Sequence, residues 1–217
     1  TWSVLHDPQG LINLMGGKNN YIKKMDEIFT SKPSSDYSYY GFKIHEILEM
    51  ELAGMGQYAH GNQPIQHAIY LYNYAQQPWK TQEKVRYVMD NLYGSGADGY
   101  CGDEDNGQTS AWFVFSSLGF YPVAPVTGQY VIGSPLFEEV TIKLSNGKDL
   151  KINAHKNSDK NIFINSFKFN QLESNNNWID HNILKEGGVI DFEMTSTPNL
   201  NWGSDKNSVP YSMSKDE

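Results

Sequence analysis

Apolar residues Leu11, Leu14 and Met15, then Ile22, Met25, Ile28 and Phe29, recur at three- and four-residue intervals on either side of Gly16-Gly17. That spacing lays an apolar stripe along a helix and predicts two helical pieces over residues 8–29. A polar loop, Ser31-Lys32-Pro33-Ser34-Ser35-Asp36, follows, and helical patterning returns over 44–57, 65–74, 82–92 and 109–118. Gly61-Asn62-Gln63-Pro64, Gln77-Pro78 and a glycine-rich stretch from Gly94 to Gly107 punctuate these segments. Beyond Pro122 and Pro125 the period changes to two: Val140-Thr141-Ile142-Lys143-Leu144, the turn Asn146-Gly147, and Leu150-Lys151-Ile152-Asn153-Ala154 predict a β-hairpin. Further strands are expected over 129–132, 162–169 and 189–194. The fold class is therefore mixed, mainly α and then β, with a boundary near Gly128 that divides 1–128 from a β-rich 129–217 built as an antiparallel sheet or small sandwich.

Composition narrows the function classes. The 217 residues are 39% hydrophobic and 13% aromatic, which supports a packed core. A formal charge of -8 and the lack of any Lys/Arg cluster argue against a nucleic-acid partner. One cysteine, Cys101, excludes an internal disulfide and a cysteine-based zinc site. No apolar run approaches the roughly 20 residues a membrane-spanning helix needs. The opening Thr1-Trp2-Ser3-Val4 has no signal-peptide pattern and is expected to begin mid-protein.

Three groups of residues carry candidate chemistry. Gly102-Asp103-Glu104-Asp105-Asn106-Gly107-Gln108 precedes the helix expected near Ser110. Its carboxylates suit a helix N-terminus, so a capping loop is one reading. Carboxylates flanked by Tyr100 and Trp112 also suit sugar binding and general base work, and a cation-binding loop is a third reading, although the Asp-x-Asp-x-Asp-Gly order of an EF-hand is missing. His45-Glu46 with Glu49 lacks the second histidine of a zinc protease. Glu46 and Glu49 lie one turn apart, as oxygen ligands for calcium or as a solvated helix face. In Gly61-Asn62-Gln63-Pro64-Ile65-Gln66-His67, Asn62 and Pro64 fit a helix start, which leaves Gln63, Gln66 and His67 as polar groups suited to sugar hydroxyls.

Read in order, Trp2…His6-Asp7-Pro8-Gln9-Gly10-Leu11, Leu14-Met15-Gly16-Gly17, Gly61-Asn62-Gln63-Pro64, Tyr70-Leu71-Tyr72-Asn73-Tyr74-Ala75 and Gln77-Pro78-Trp79-Lys80-Thr81-Gln82 resemble the later catalytic-domain motifs of glycoside hydrolase family 92. The likeness continues through Gly102-Asp103-Glu104-Asp105-Asn106-Gly107-Gln108-Thr109-Ser110-Ala111-Trp112, Leu118-Gly119-Phe120-Tyr121-Pro122 and Gly133-Ser134-Pro135-Leu136-Phe137. The resemblance implies the later helices of an (α/α)6 barrel followed by a C-terminal antiparallel β region. It also implies a calcium-dependent, inverting exo-α-mannosidase that releases terminal mannose from glycans, with α-1,2 the expected linkage.

Inversion needs one acid on the leaving oxygen and one carboxylate on the opposite side, roughly 6.5 to 9.5 Å away, to deprotonate water. The resemblance assigns the base to Asp105 with Asp103 sharing or orienting that role, and substrate binding to His45, Asn62, Gln63 and His67. It gives calcium to Glu46 and Glu49. The relatives' general acid falls just upstream of Thr1, so the expected partners are a mannose-containing glycan and the missing N-terminal part of the same enzyme, and the isolated segment is expected to be inactive. Many relatives carry Glu where this chain has Gln63, which keeps hydrogen bonding and removes a charge. Such enzymes are exported, so a periplasmic, secreted or cell-surface location is expected. The competing class is a carbohydrate-binding module without hydrolysis, which would have no need of Asp105.

Overall fold

The computed structural model describes residues 2–34 and 36–215. Thr1 and Ser35, the latter within the expected polar loop, lie outside the described residues. Helices α1 (Pro8–Leu14) and α2 (Lys18–Thr30) form as the spacing predicts. Asp7 caps α1 by accepting the Gly10 N–H at 3.0 Å, and Pro8 occupies its first turn. Gly17, at φ 101°, separates the two helices. Helix α3 spans His45–Ala53, α4 is a single turn over Gln63–Gln66, α5 spans Pro78–Asn91 and α6 spans Gln108–Leu118.

Between α4 and α5 the expected helix is a 3-10 helix, His67–Asn73, and all seven of its residues are buried. An element buried on every side shows no amphipathic period, so its pitch was not encoded in the spacing. It runs through the core formed by Ile12, Tyr21, Met25, Tyr58 and Trp112.

Strand β1 (Phe120–Tyr121) pairs antiparallel with β2 (Gln129–Ile132) across Gly128. Strands β3 (Glu139–Lys143) and β4 (Asp149–His155) form the expected hairpin. Its loop is Ser145-Asn146-Gly147, closed by a 2.9 Å bond from the Leu144 N–H to the Lys148 carbonyl, with Gly147 at φ 81°. Strands β5 (Phe163–Phe169), β6 (Leu172–Ser174) and β7 (Trp178–Asp180), the one-turn helix α7 (His181–Leu184) and β8 (Gly188–Thr195) complete the chain. Two sheets result, in the orders β1-β2-β7 and β3-β4-β8-β5-β6.

The expectation of an antiparallel region needs one correction: β4 and β8 run parallel, in register Ile152 to Ile190 and Ala154 to Phe192. Alternation sets which face of a strand is buried but not which strand lies beside it. The long connection through β5, β6, β7 and α7 supplies the crossover that parallel pairing requires. Leu150, Ile152, Ile164, Phe167, Ile190, Phe192 and Met194 make a second core beneath this sheet. Phe115 of α6 packs against both cores.

Candidate active site

Three stretches distant in sequence meet at the carboxylate of Glu49. A Cβ on Gly61 would lie 2.8 Å from Glu49 Oε2 and 2.9 Å from the Cα of Gly102. A Cβ on Gly102 would lie 2.7 Å from the same oxygen and 2.6 Å from the Cα of Gly61. Only glycines allow the backbone before Asn62 and the backbone before Asp103 to cross this closely with the Glu49 side chain of α3 pressed against them. The buried Glu49 Oε2 has no hydrogen-bond partner. An unpaired buried carboxylate oxygen is costly in free energy.

Glu49 Oε1 lies 3.0 Å from His45 Nδ1, and Glu46 Oε1 lies 3.4 Å from His45 Nε2. The bond to Glu49, reinforced by the charges of Glu46, Glu49 and Asp103, raises the pKa of His45. Glu49 and Asp103 line the same cleft, of about 610 Å3, which is walled also by Leu52, Asn91, Asp98, Tyr100 and Cys101. Desolvation lifts the Cys101 thiol to about 11, so it stays protonated and inert at neutral pH.

The acidic loop divides its labour. Glu104 takes the capping role: its carboxylate accepts the Gly107 N–H at 2.6 Å and the Ser110 hydroxyl at 2.6 Å. These bonds, the Ser110 one foremost, hold its pKa below the ordinary range. The capping explanation thus holds for Glu104 and leaves Asp103 and Asp105, neither of which spends its carboxylate on the helix. Asp103 is exposed and Asp105 half-buried. Asp105, Asn106 and Gly107 stand in succession at φ 59°, 56° and 99°, a left-handed run that Asp, Asn and Gly tolerate best.

The remaining candidates are placed as follows. Asn62 occupies the N-cap position of α4, yet its side chain makes no capping bond; it is half-buried, and Gln63 is exposed. His67 does not join the carboxylates: it is buried, with Nε2 2.8 Å from the Trp2 carbonyl, and desolvation lowers its pKa. Gln66, read from the sequence as suited to sugar hydroxyls, is fully buried; its amide donates to the His60 carbonyl and the Thr109 hydroxyl, each at 3.1 Å. His60 lies buried between the Tyr58 and Tyr93 hydroxyls, each 2.8 Å away, with its ring edge-on to Trp112, an ordinary polar contact rather than a metal ligand.

For a calcium ion, Glu46 and Glu49 offer hard oxygens of the right kind, one of them without a partner. Among the described residues no group of three or more His, Cys, Asp or Glu side chains converges as a cage. Two carboxylates supply fewer than the six to eight oxygens that calcium takes.

The sequence matches the Glycosyl hydrolase family 92 catalytic domain over residues 1–196, which places it among carbohydrate-active proteins. The chain belongs to glycoside hydrolase family 92. An inverting GH92 mannosidase from Bacteroides thetaiotaomicron VPI-5482 is 53% identical with a TM-score of 0.83, over 97% of this chain and 29% of that one. A GH92 alpha-mannosidase from Bacteroides thetaiotaomicron is 36% identical with a TM-score of 0.87, over 100% of this chain and 27% of that one. An uncharacterized secreted glycosidase of Arthroderma benhamiae is 28% identical over 213 residues, 97% of this chain and 24% of the relative. The chain thus spans under a third of the length of these relatives. No helix among the described residues is long and apolar enough to cross a membrane.

Proposed function

We propose that the chain is the C-terminal part of a calcium-dependent, inverting exo-α-mannosidase that releases terminal mannose from glycans, and that it supplies the water-activating side of the site. The observation that carries this is the crossing of Gly61 and Gly102 over the Glu49 carboxylate, beside a cleft that Glu49 and Asp103 line. Asp105 accepts the proton of the attacking water, and Asp103, one residue from the cap made by Glu104, orients that water. His45, Asn62 and Gln63 bind sugar hydroxyls. His67, bonded to the Trp2 carbonyl, orders the segment that follows the position the family resemblance gives to the general acid, ahead of Thr1.

Glu46 and Glu49 would hold calcium, which when bound supplies a hard cation for vicinal hydroxyls of the terminal mannose. The helices α1 to α6 are the later helices of an (α/α)6 barrel whose earlier helices lie in the rest of the enzyme, the partner that completes the site. Likeness to a secreted glycosidase and to mannosidases supports export to the periplasm or cell surface and a glycan substrate. The preferred linkage is α-1,2.

The test is mannose release by the full-length protein from α-1,2-, α-1,3- and α-1,6-linked mannobiose, each with calcium and with a chelator. Release that is fastest from the α-1,2 substrate and lost on chelation supports the proposal. Sugar binding without release would favour the carbohydrate-binding module, and release that ignores chelation would remove the calcium.

A further inference from the structure

Thr109, in the first turn of α6, is 0% exposed. All its polar groups are engaged. Its N–H donates to the Glu104 carbonyl at 3.1 Å, and its hydroxyl donates to the Asp103 carbonyl at 3.0 Å. The same hydroxyl oxygen accepts from the Gln66 amide at 3.1 Å, and the Thr109 carbonyl accepts from the Tyr93 hydroxyl at 3.2 Å.

His60 is neutral, since burial lowers its pKa to about 3. Two proton orders satisfy the network. In one, Tyr93 donates to the Thr109 carbonyl, His60 Nε2 to Tyr93 and Tyr58 to His60 Nδ1; in the other, Tyr58 donates to the Gln66 carbonyl at 3.3 Å, His60 Nδ1 to Tyr58 and Tyr93 to His60 Nε2. A fully satisfied buried network of this kind is rigid, because each break would leave a polar group unpaired in a dry interior.

We infer that Thr109 is a positioning residue for the water-activating carboxylates. Its N–H and O–H grip the two consecutive carbonyls, of Asp103 and Glu104, that lead into Asp105, while Gln66 of α4 and Tyr93, just beyond α5, fix Thr109. The grip falls on the backbone between the two acids, so it sets where both carboxylates stand relative to the cleft without touching substrate. This inference rests on the mannosidase reading above.

The experiment compares Thr109→Val with Thr109→Ser in the full-length enzyme, reading kcat and KM for mannobiose and the melting temperature. Valine keeps the branched shape and removes the hydroxyl; serine keeps the hydroxyl and removes a methyl. Displacement of a reacting group by about 1 Å costs on the order of 100-fold, so kcat of Thr109→Val should fall about 10- to 100-fold with KM changed less than about threefold. Thr109→Ser should keep kcat within about threefold even if it melts earlier. Should Thr109→Val fail to fold, Tyr93→Phe, which frees the Thr109 carbonyl and unpairs His60 Nε2 while leaving the Thr109 hydroxyl in place, should lower kcat about three- to tenfold at constant KM. Retention of kcat by Thr109→Val, or by Tyr93→Phe where it stands in, overturns the inference, as does an equal loss in Thr109→Ser. An unsubstituted enzyme that releases no mannose overturns the mannosidase reading itself and this assignment with it.

Discussion

The helical half and the sheet half keep their interiors together by different means. Strands β3 to β8 bury only apolar side chains among the described residues, from Leu150 and Ile152 to Phe192 and Met194. The helical core buries His60, Gln66, Asn73, Thr81, Gln82, Thr109 and Ser116 among its tyrosines and Trp112. Apolar packing is non-directional and tolerates small shifts, whereas a hydrogen-bonded interior fixes orientation at the cost of satisfying every group. The half that carries the carboxylates is the one built on directional bonds. The sheet is a dry anchor against which that half is held, through Arg86, through Gln82 Oε1 accepting the Ile164 N–H at 3.1 Å, and through the mutual amide bonds of Asn73 and Asn177.

This contrast can be broken at several points. Phe192→Ala empties the middle of the dry core and should cost about 3 to 5 kcal/mol in denaturant unfolding. A cost under 1 kcal/mol would mean the sheet core is not the anchor described. Arg86 Nη1 donates to the Pro135 carbonyl at 2.9 Å and to Asn157 Oδ1 at 2.8 Å, so Arg86→Ala strips two buried acceptors of a charged donor. About 2 to 4 kcal/mol should be lost. If the joint matters as described, the helical and β-sheet circular dichroism signals should then cease to melt together.

Acid should find the helical half first. His60 titrates near 6.5 when unfolded and only at about 3 when folded, so the stability it contributes is present above pH 6.5 and is lost as pH falls from there towards 3. His67, depressed in the same direction, adds to this. Stability should decline by up to about 1.4 kcal/mol per pH unit per buried histidine between pH 6 and 4, and His60→Gln should flatten that slope. An unchanged slope in the variant would refute a buried neutral His60. At the small end, Lys148→Ala removes the exposed pair with Glu186 at 3.0 Å and should change stability by less than about 0.5 kcal/mol.

The two halves also differed in what their sequences disclosed. The hairpin over β3 and β4 was legible because alternation and Asn146-Gly147 are local signals. The β4–β8 pairing was not, since nothing local in either strand names its neighbour, and β1 and β7 are too short to show a period. In the helical half α1, α2 and α6 announced themselves by spacing and glycine stops, whereas the buried 3-10 helix had no polar face to reveal it. The acidic loop was visible as a cluster, yet its split into a capping Glu104 and two uncommitted aspartates depends on where Gly107 and Ser110 turn back. Glu49 was singled out by its spacing from Glu46. That its carboxylate lies against Gly61 and Gly102 is a tertiary fact, and so are the roles of His60 and Thr109.

The most direct test of the account is the rate of mannose release from α-1,2-mannobiose by the full-length enzyme and by its Asp105→Asn variant. Loss of the proton acceptor should lower kcat by about 10²- to 10⁴-fold while the variant still folds and binds sugar. A variant that releases mannose within about threefold of the unsubstituted rate would contradict the assignment of water activation to this loop.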